Sequence, residues 1–303
     1  MAFQGRGAHL IAGCRPIVHA DPQGGREVSA DAQSSWFMPY ADRRHHRIWY
    51  EASGESGAPV LLIMGLSMRG AAWQHQVEAL STHHRVAVFD HHGVGESSPL
   101  GARRLTMRGM ANDAIAVLDA LGWQQAHIVG ISMGGMIAQN LAVHAPQRVL
   151  SLALAATHPG GARSFLPTVP GISLLVRSAR RDPEARLRAL GRLLFTDDFC
   201  RANPERAREL LLRDLRRPPP SATLLAQIAA IAGHHTAPAL QRFEAFPTLV
   251  LRAGKDRLID PRHSDRLHAL IPGSRLLRFD DSGHLLTRQC ADRFNAALFE
   301  HLA

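Results

Sequence analysis

A serine set between glycines, G-I-S-M-G at residues 130–134, carries the strongest chemical signal in the chain. It follows the apolar run 126–128 and precedes a helical pattern over 136–145 that stops at Pro146. At such a strand-to-helix turn the Ser132 hydroxyl is pushed into the open, while Gly130 and Gly134 lack the Cβ atoms that would collide. A serine hydroxyl is a poor nucleophile alone; it needs a base, and the base needs an orienting acid. Two later segments offer both. The apolar run 246–252 leads into A-G-K-D and places Asp256 just past a strand end. The run 275–279 leads into D-D-S-G-H and places His284 just past another. His284 would take the Ser132 proton during attack and return it to a leaving group. Asp256 would hold the imidazole tautomer and stabilise the imidazolium.

Rivals for each role can be weighed from the sequence. Asp260 precedes Pro261 and reads as a helix cap. Asp280 and Asp281 lie so close to His284 that local turn bonding is the simpler reading. The segment A-A-T-H-P-G-G at 155–161, another place for an acid, offers no carboxylate. Among 18 histidines, the S-G-H-L setting after a strand singles out His284. Adjacent histidine pairs such as His91-His92 and His234-His235 seldom point at one ion, and no H-E-x-x-H spacing occurs, so no metal is expected.

With these segments the chain resembles the α/β-hydrolase family, in its capped, esterase- and lactonase-like branch, from about Trp36 to the end. The resemblance rests on G-I-S-M-G together with L-L-I-M-G-L-S (61–67), F-D-H-H-G-V-G-E-S-S (89–98), L-R-A-G-K-D (251–256) and D-S-G-H (281–284). The order Ser132, Asp256, His284 is that of the family. Two departures stand out: Met64-Gly65 replaces a common His-Gly, and His92 occupies a position where arginine is usual. The resemblance implies an oxyanion hole from the backbone N–H groups of Met133 and Leu66, with Gly65 allowing close approach. It implies no cofactor and a small-molecule acyl substrate. It also implies Asp90 as an acid that ties down its loop. The reaction expected is hydrolysis of a carboxylic ester or lactone through an acyl-enzyme on Ser132. Alternatives with the same residues are an enol-lactonase, a carbon–carbon bond hydrolase or an acyltransferase. A ligand receptor on the same fold is the reading from another class.

The elements that must position these residues are legible in outline. Continuous apolar runs at 59–64, 86–89, 128–131 and 149–155 read as strands buried on both faces, and 47–51 as a shorter strand. Trp73, Val77 and Leu80 mark one helix. Thr106 caps a second, with Met107, Met110, Ala114, Val117, Leu118 and Leu121 at helical spacing up to Gly122. Strands alternating with helices indicate an α/β fold with a mostly parallel sheet covered on both faces. Ligands of such sheets bind beyond the carboxyl ends of the strands.

Between residues 158 and 245 the strand pattern gives way to helix starts. Asp182-Pro183-Glu184 and Asn203-Pro204-Glu205 each supply a cap, a proline at the first helical position and an acid in the first turn. Ser221, after the prolines 218–220, caps a third run, with Leu224, Leu225, Ile228 and Ile231 read as one face and Gly233 as its stop. The expected organisation is a tail over 1–35, core over 36–157, a helical cap over 158–245 and core over 246–303. The resemblance places that cap over the site.

Composition excludes several classes. A chain of 303 residues with 46% apolar content can bury a substantial core. No apolar run reaches the ~18–20 residues of a membrane span. The formal charge is +9, from 35 basic and 26 acidic residues, and Lys255 is the only lysine. The arginines are scattered, not clustered with stacking aromatics, so nucleic-acid binding is not expected. Three cysteines, Cys14, Cys200 and Cys290, match no metal or redox spacing. They suit a reduced, cytoplasmic setting. I-A-G-C at 11–14 looks like a lipoprotein cleavage box, but the stretch before it is too short and too polar for a signal core.

Overall fold

The computed structural model describes residues 39–303, save 162, 163, 165, 179–181 and 216 and the side chains of 175, 176, 178, 214 and 215. The tail expected over 1–35, the I-A-G-C segment and Cys14 lie outside the described residues. The strands are β1 Tyr40–Arg43, β2 His46–Ser53, β3 Pro59–Ile63, β4 Arg85–Phe89, β5 Ala126–Ile131, β6 Val149–Ala155, β7 Thr248–Ala253 and β8 Arg275–Phe279. The helices are α1 Gln74–Leu80, α2 Met107–Ala120, α3 Met133–His144, α4 Val169–Ser178, α5 Pro183–Leu194, α6 Asp197–Ala202, α7 Pro204–Leu215, α8 Ser221–Ala232, α9 Arg262–Leu270, α10 Leu286–Gln289 and α11 Ala291–Leu302. One sheet runs β1-β2-β4-β3-β5-β6-β7-β8. β1 and β2 pair antiparallel, as do β2 and β4, and every pair from β4 through β8 is parallel.

The apolar strands explain this architecture. On β3, Leu61 and Ile63 face one core while Val60 and Leu62 face another, and all are fully buried. α2, α3 and α9 supply side chains to the first core, α1 and α11 to the second. A strand buried on both faces cannot alternate with polar residues, which is why these strands read as continuous apolar runs. The Thr106 hydroxyl caps α2 by accepting the Gly109 N–H at 3.0 Å.

β6 and β8 fall where the sequence places them, and the other core strands differ by a residue or two. β1 is absent from the sequence reading because Y-A-D-R is a short polar edge strand in which Ala41 alone is buried. All five helices α4–α8 lie between β6 and β7. Asp182 caps α5 as expected, accepting from the Glu184 and Ala185 N–H groups. α8 corrects two expectations. Its cap position is Pro220, and Ser221 makes no capping bond. Its buried residues are Thr223, Gln227 and Ala230, whereas Leu225 is 66% and Ile228 44% exposed. The helix therefore turns a small, polar stripe inward. Asp280 and Asp281 pair with Arg252 and Arg293 across the surface, and Asp281 also accepts from its own backbone N–H.

Candidate active site

Ser132 sits between the last residue of β5 and the first of α3, at φ 56°. The turn is enforced by close packing. A Cβ on Gly130 would lie 2.4 Å from the Gly134 carbonyl oxygen, and one on Gly134 would lie 2.0 Å from that of Ile63. The Ser132 backbone is fixed on both sides: its N–H donates to Ala155 O at 2.9 Å, and its carbonyl accepts the Thr157 hydroxyl at 2.7 Å. Three described non-glycine residues have positive φ, namely Ser67, Ser132 and Ala156. They follow the carboxyl ends of β3, β5 and β6, three neighbours in the sheet. Strain of this kind persists where surrounding structure over-determines the backbone, and its clustering here marks a built site.

His284 and Asp256 come together although 28 residues separate them. His284 Nδ1 donates to Asp256 Oδ2 at 2.7 Å, with both side chains almost fully buried. The other carboxylate oxygen, Asp256 Oδ1, accepts the Leu258 and Ile259 N–H groups at 2.7 and 2.9 Å. With Nδ1 occupied, Nε2 is the nitrogen left for a substrate or for Ser132. Neither it nor the Ser132 hydroxyl is sealed from solvent. No hydrogen bond joins the two among the described residues; such contacts are often loose before a substrate is present.

Met133 directly follows Ser132, and Leu66 follows Gly65 in a loop that approaches the serine. Met133 opens α3, so its N–H has no partner within the helix. A Cβ on Gly65 would touch the Ser132 Cβ at 3.3 Å, which shows how closely this loop approaches the serine. Neither N–H donates to another group among the described residues. Asp90 behaves as expected, its two oxygens accepting the Gly70 and Glu96 N–H groups at 2.7 and 3.0 Å. His92 stacks on His46 with ring centroids 3.9 Å apart, and its Nε2 bonds Pro99 O at 3.1 Å.

Three residues that shape the site escaped the sequence reading. Thr157 buttresses the Ser132 carbonyl. His91 is buried and bonds Met64 O at 2.8 Å, just before Gly65, and burial pushes its pKa down. Gln227, from α8, accepts the Ser67 N–H at 2.9 Å. Thr223 and Gln227 are polar positions four apart in the otherwise apolar stretch 222–232, a spacing that marks an inward polar stripe without naming its partner.

A strand-to-helix serine, a buried acid–histidine pair and a mostly parallel sheet define an α/β hydrolase. The family model of the alpha/beta hydrolase fold matches residues 58–287, and the chain belongs to that family. It is 32% identical over 264 residues to a protein of Azorhizobium caulinodans named "Putative carbamate hydrolase RutD", covering 86% of this chain and 97% of that one. A thermophilic esterase from Thermogutta terrifontis is 26% identical with a TM-score of 0.72, covering 87% of this chain and 96% of the other. The enol-lactonase of Burkholderia xenovorans shares the fold, with a TM-score of 0.74 at 24% identity over 87% of this chain and 99% of the other. No helix among the described residues is long and apolar enough to cross a membrane.

Proposed function

We propose that this hydrolase cleaves a carboxylic ester or lactone through an acyl-enzyme on Ser132. The Asp256–His284 bond at 2.7 Å carries the reading, because a buried carboxylate on Nδ1 leaves Nε2 free to act as a base. Ser132 Oγ attacks the acyl carbon and its proton passes to His284 Nε2. The tetrahedral oxyanion rests on the Met133 and Leu66 N–H groups, each worth ~10²–10³ in rate. Collapse of the intermediate breaks the acyl–oxygen bond, and the alcohol leaves with the proton from His284. Water, deprotonated by the same ring, then releases the acid and restores Ser132. The helices α4–α8 act as a cap that shapes the acyl pocket.

Likeness to a relative named for carbamate hydrolysis across 97% of its length favours a second reading, a carbamate cleaved by the same steps. The test is hydrolysis of p-nitrophenyl butyrate and p-nitrophenyl N-methylcarbamate by the wild type and Ser132→Ala, with intact mass after fluorophosphonate treatment. The expected result is ester turnover and a single label on the wild type, both lost in the variant. Preference for the carbamate by kcat/KM would move the assignment to the second reading. A wild type that neither turns over nor labels would overturn both.

A further inference from the structure

The loop that carries Leu66 is held from three directions. His91 fixes Met64 O, and Met68 N–H closes a turn onto Gly65 O at 3.3 Å. The third hold comes from the helical segment between β6 and β7. Gln227 Oε1 accepts the Ser67 N–H at 2.9 Å, joining residues 160 positions apart. Ser67 has φ 62°, a conformation L-residues rarely adopt, so the peptide between Leu66 and Ser67 needs an outside partner to stay in place. Leu66 carries one candidate oxyanion donor, and that same peptide sets its ψ.

Gln227 is poorly suited to a purely structural role. It is fully buried, and its Nε2 has no partner among the described residues; the neighbouring Ser67 Oγ has none either. A buried amide chosen for stability would satisfy both ends, since an unpaired buried donor is costly. Other residues also seat α8. Thr223, one turn earlier, fills the space over Gly93, where a Cβ would lie 2.8 Å from the Thr223 side chain, and Ala230 packs into the core. Gln227 therefore does one thing its neighbours on α8 do not: it presents an acceptor to the backbone beside the oxyanion donor.

Resting on the acyl-enzyme reading above, we infer that Gln227 is a positioning residue, contributed by the cap, that aligns the Leu66 N–H for the oxyanion. The oxyanion hole is then complete only while α8 is docked, which couples cap closure to the chemical step and not to substrate affinity alone.

The experiment compares Gln227→Met, which keeps volume and loses the acceptor, with Gln227→Glu, which keeps an acceptor oxygen. Gln227→Asn serves as a second withdrawal of the acceptor should the methionine variant not fold. Each is measured for ester kcat and KM, for the rate of fluorophosphonate labelling per labelled site, and for thermal midpoint. The expected result is a loss in kcat and labelling rate of about 10- to 100-fold in the methionine and asparagine variants. KM should stay within about twofold, and glutamate should recover most of the loss. Unchanged kcat and labelling rate, a change in KM alone, or equal loss in the methionine and glutamate variants would overturn the inference and leave the serine mechanism standing. A wild type that takes no label at Ser132 would overturn the mechanism, and the inference with it.

Discussion

At Asp256 the two carboxylate oxygens have separate tasks. Oδ1 takes two backbone N–H groups of its own turn, and Oδ2 takes the imidazole. Asparagine can keep the first task with its carbonyl oxygen, so the loop should hold its shape. Its amide N–H₂ then faces Nδ1, which must give up its proton to accept, and the base proton moves to Nε2, where it blocks Ser132. We expect Asp256→Asn to lower kcat by roughly 10³–10⁴ with a near-normal thermal midpoint. A loss under tenfold in steady-state ester hydrolysis would remove Asp256 from the role of orienting acid. Sequence position and chain order single out Asp256 as the carboxylate that meets His284, since a carboxylate just past a strand end is a local pattern. They do not single out Thr157 and Gln227, because their partners are backbone groups of distant segments. Such a bond leaves no mark of its partner in either segment.

At the scale of elements, the loops that carry Asp256 and His284 are both fastened to the helical segment between β6 and β7. Arg257, next to Asp256, forks onto Asp197 of α6 at 2.8 and 3.0 Å and donates to Arg192 O at 2.7 Å. Leu285, next to His284, donates its N–H to Leu194 O at 2.9 Å. Gln289 bridges Thr196 to the same loop, accepting the Gly283 N–H and donating to Asp281 O. Arg257 and Arg192 hold the Asp197 carboxyl well below the usual carboxylate range. A depressed carboxyl stabilises the fold at neutral pH, and that contribution fades as pH falls through its folded-state value. Asp197 is 36% exposed, so solvent screening limits the pair to about 1 kcal/mol. Arg257→Ala should therefore lower the thermal midpoint by roughly 2–4 °C at neutral pH, with the gap from wild type narrowing in high salt. A salt-independent loss measured by calorimetry would mean that packing of the arginine stem, not its charge, holds the clamp. None of this clamp could be read from the sequence. D-P-E announces where α5 begins, but α6 is a six-residue helix without an apolar period. The inward face of α8 was misread for a related reason. Its leucines and isoleucines suggested burial, yet apolar residues on a helix at the surface are not obliged to face the core.

For the whole molecule, the point where the chain leaves the sheet after β6 meets the point where it returns before β7. His158 and His234 stand there with ring centroids 5.5 Å apart, and His263 of α9 lies 5.6 Å from His158. Gly160 bridges to His235, and the Thr236 and Ala237 N–H groups both donate to Pro159 O. The hydrogen bonds fit neutral rings. His158 Nδ1 accepts the Gly160 N–H, while His234 Nδ1 accepts from Asn140 and its Nε2 donates to His158 O. Burial is the main cause that lowers His158 to about 3 and His234 to about 4. The groups facing them, His235, His263 and Arg266, add positive charge or none. A histidine depressed in the fold takes up its proton more readily when unfolded, so stability rises with pH between the folded and unfolded values. Above the ordinary 6.5 the full contribution is present; below it, each pH unit removes about 1.4 kcal/mol per ring until the folded value is reached. At pH 5 that amounts to about 2 kcal/mol for each of the two. Denaturant unfolding of the wild type should show this loss between pH 6.5 and 5. His234→Gln, whose amide can still donate to His158 O, should remove one ring's share of that slope, about 1.4 kcal/mol per pH unit. A slope the same in the variant and the wild type would move the acid sensitivity away from this junction.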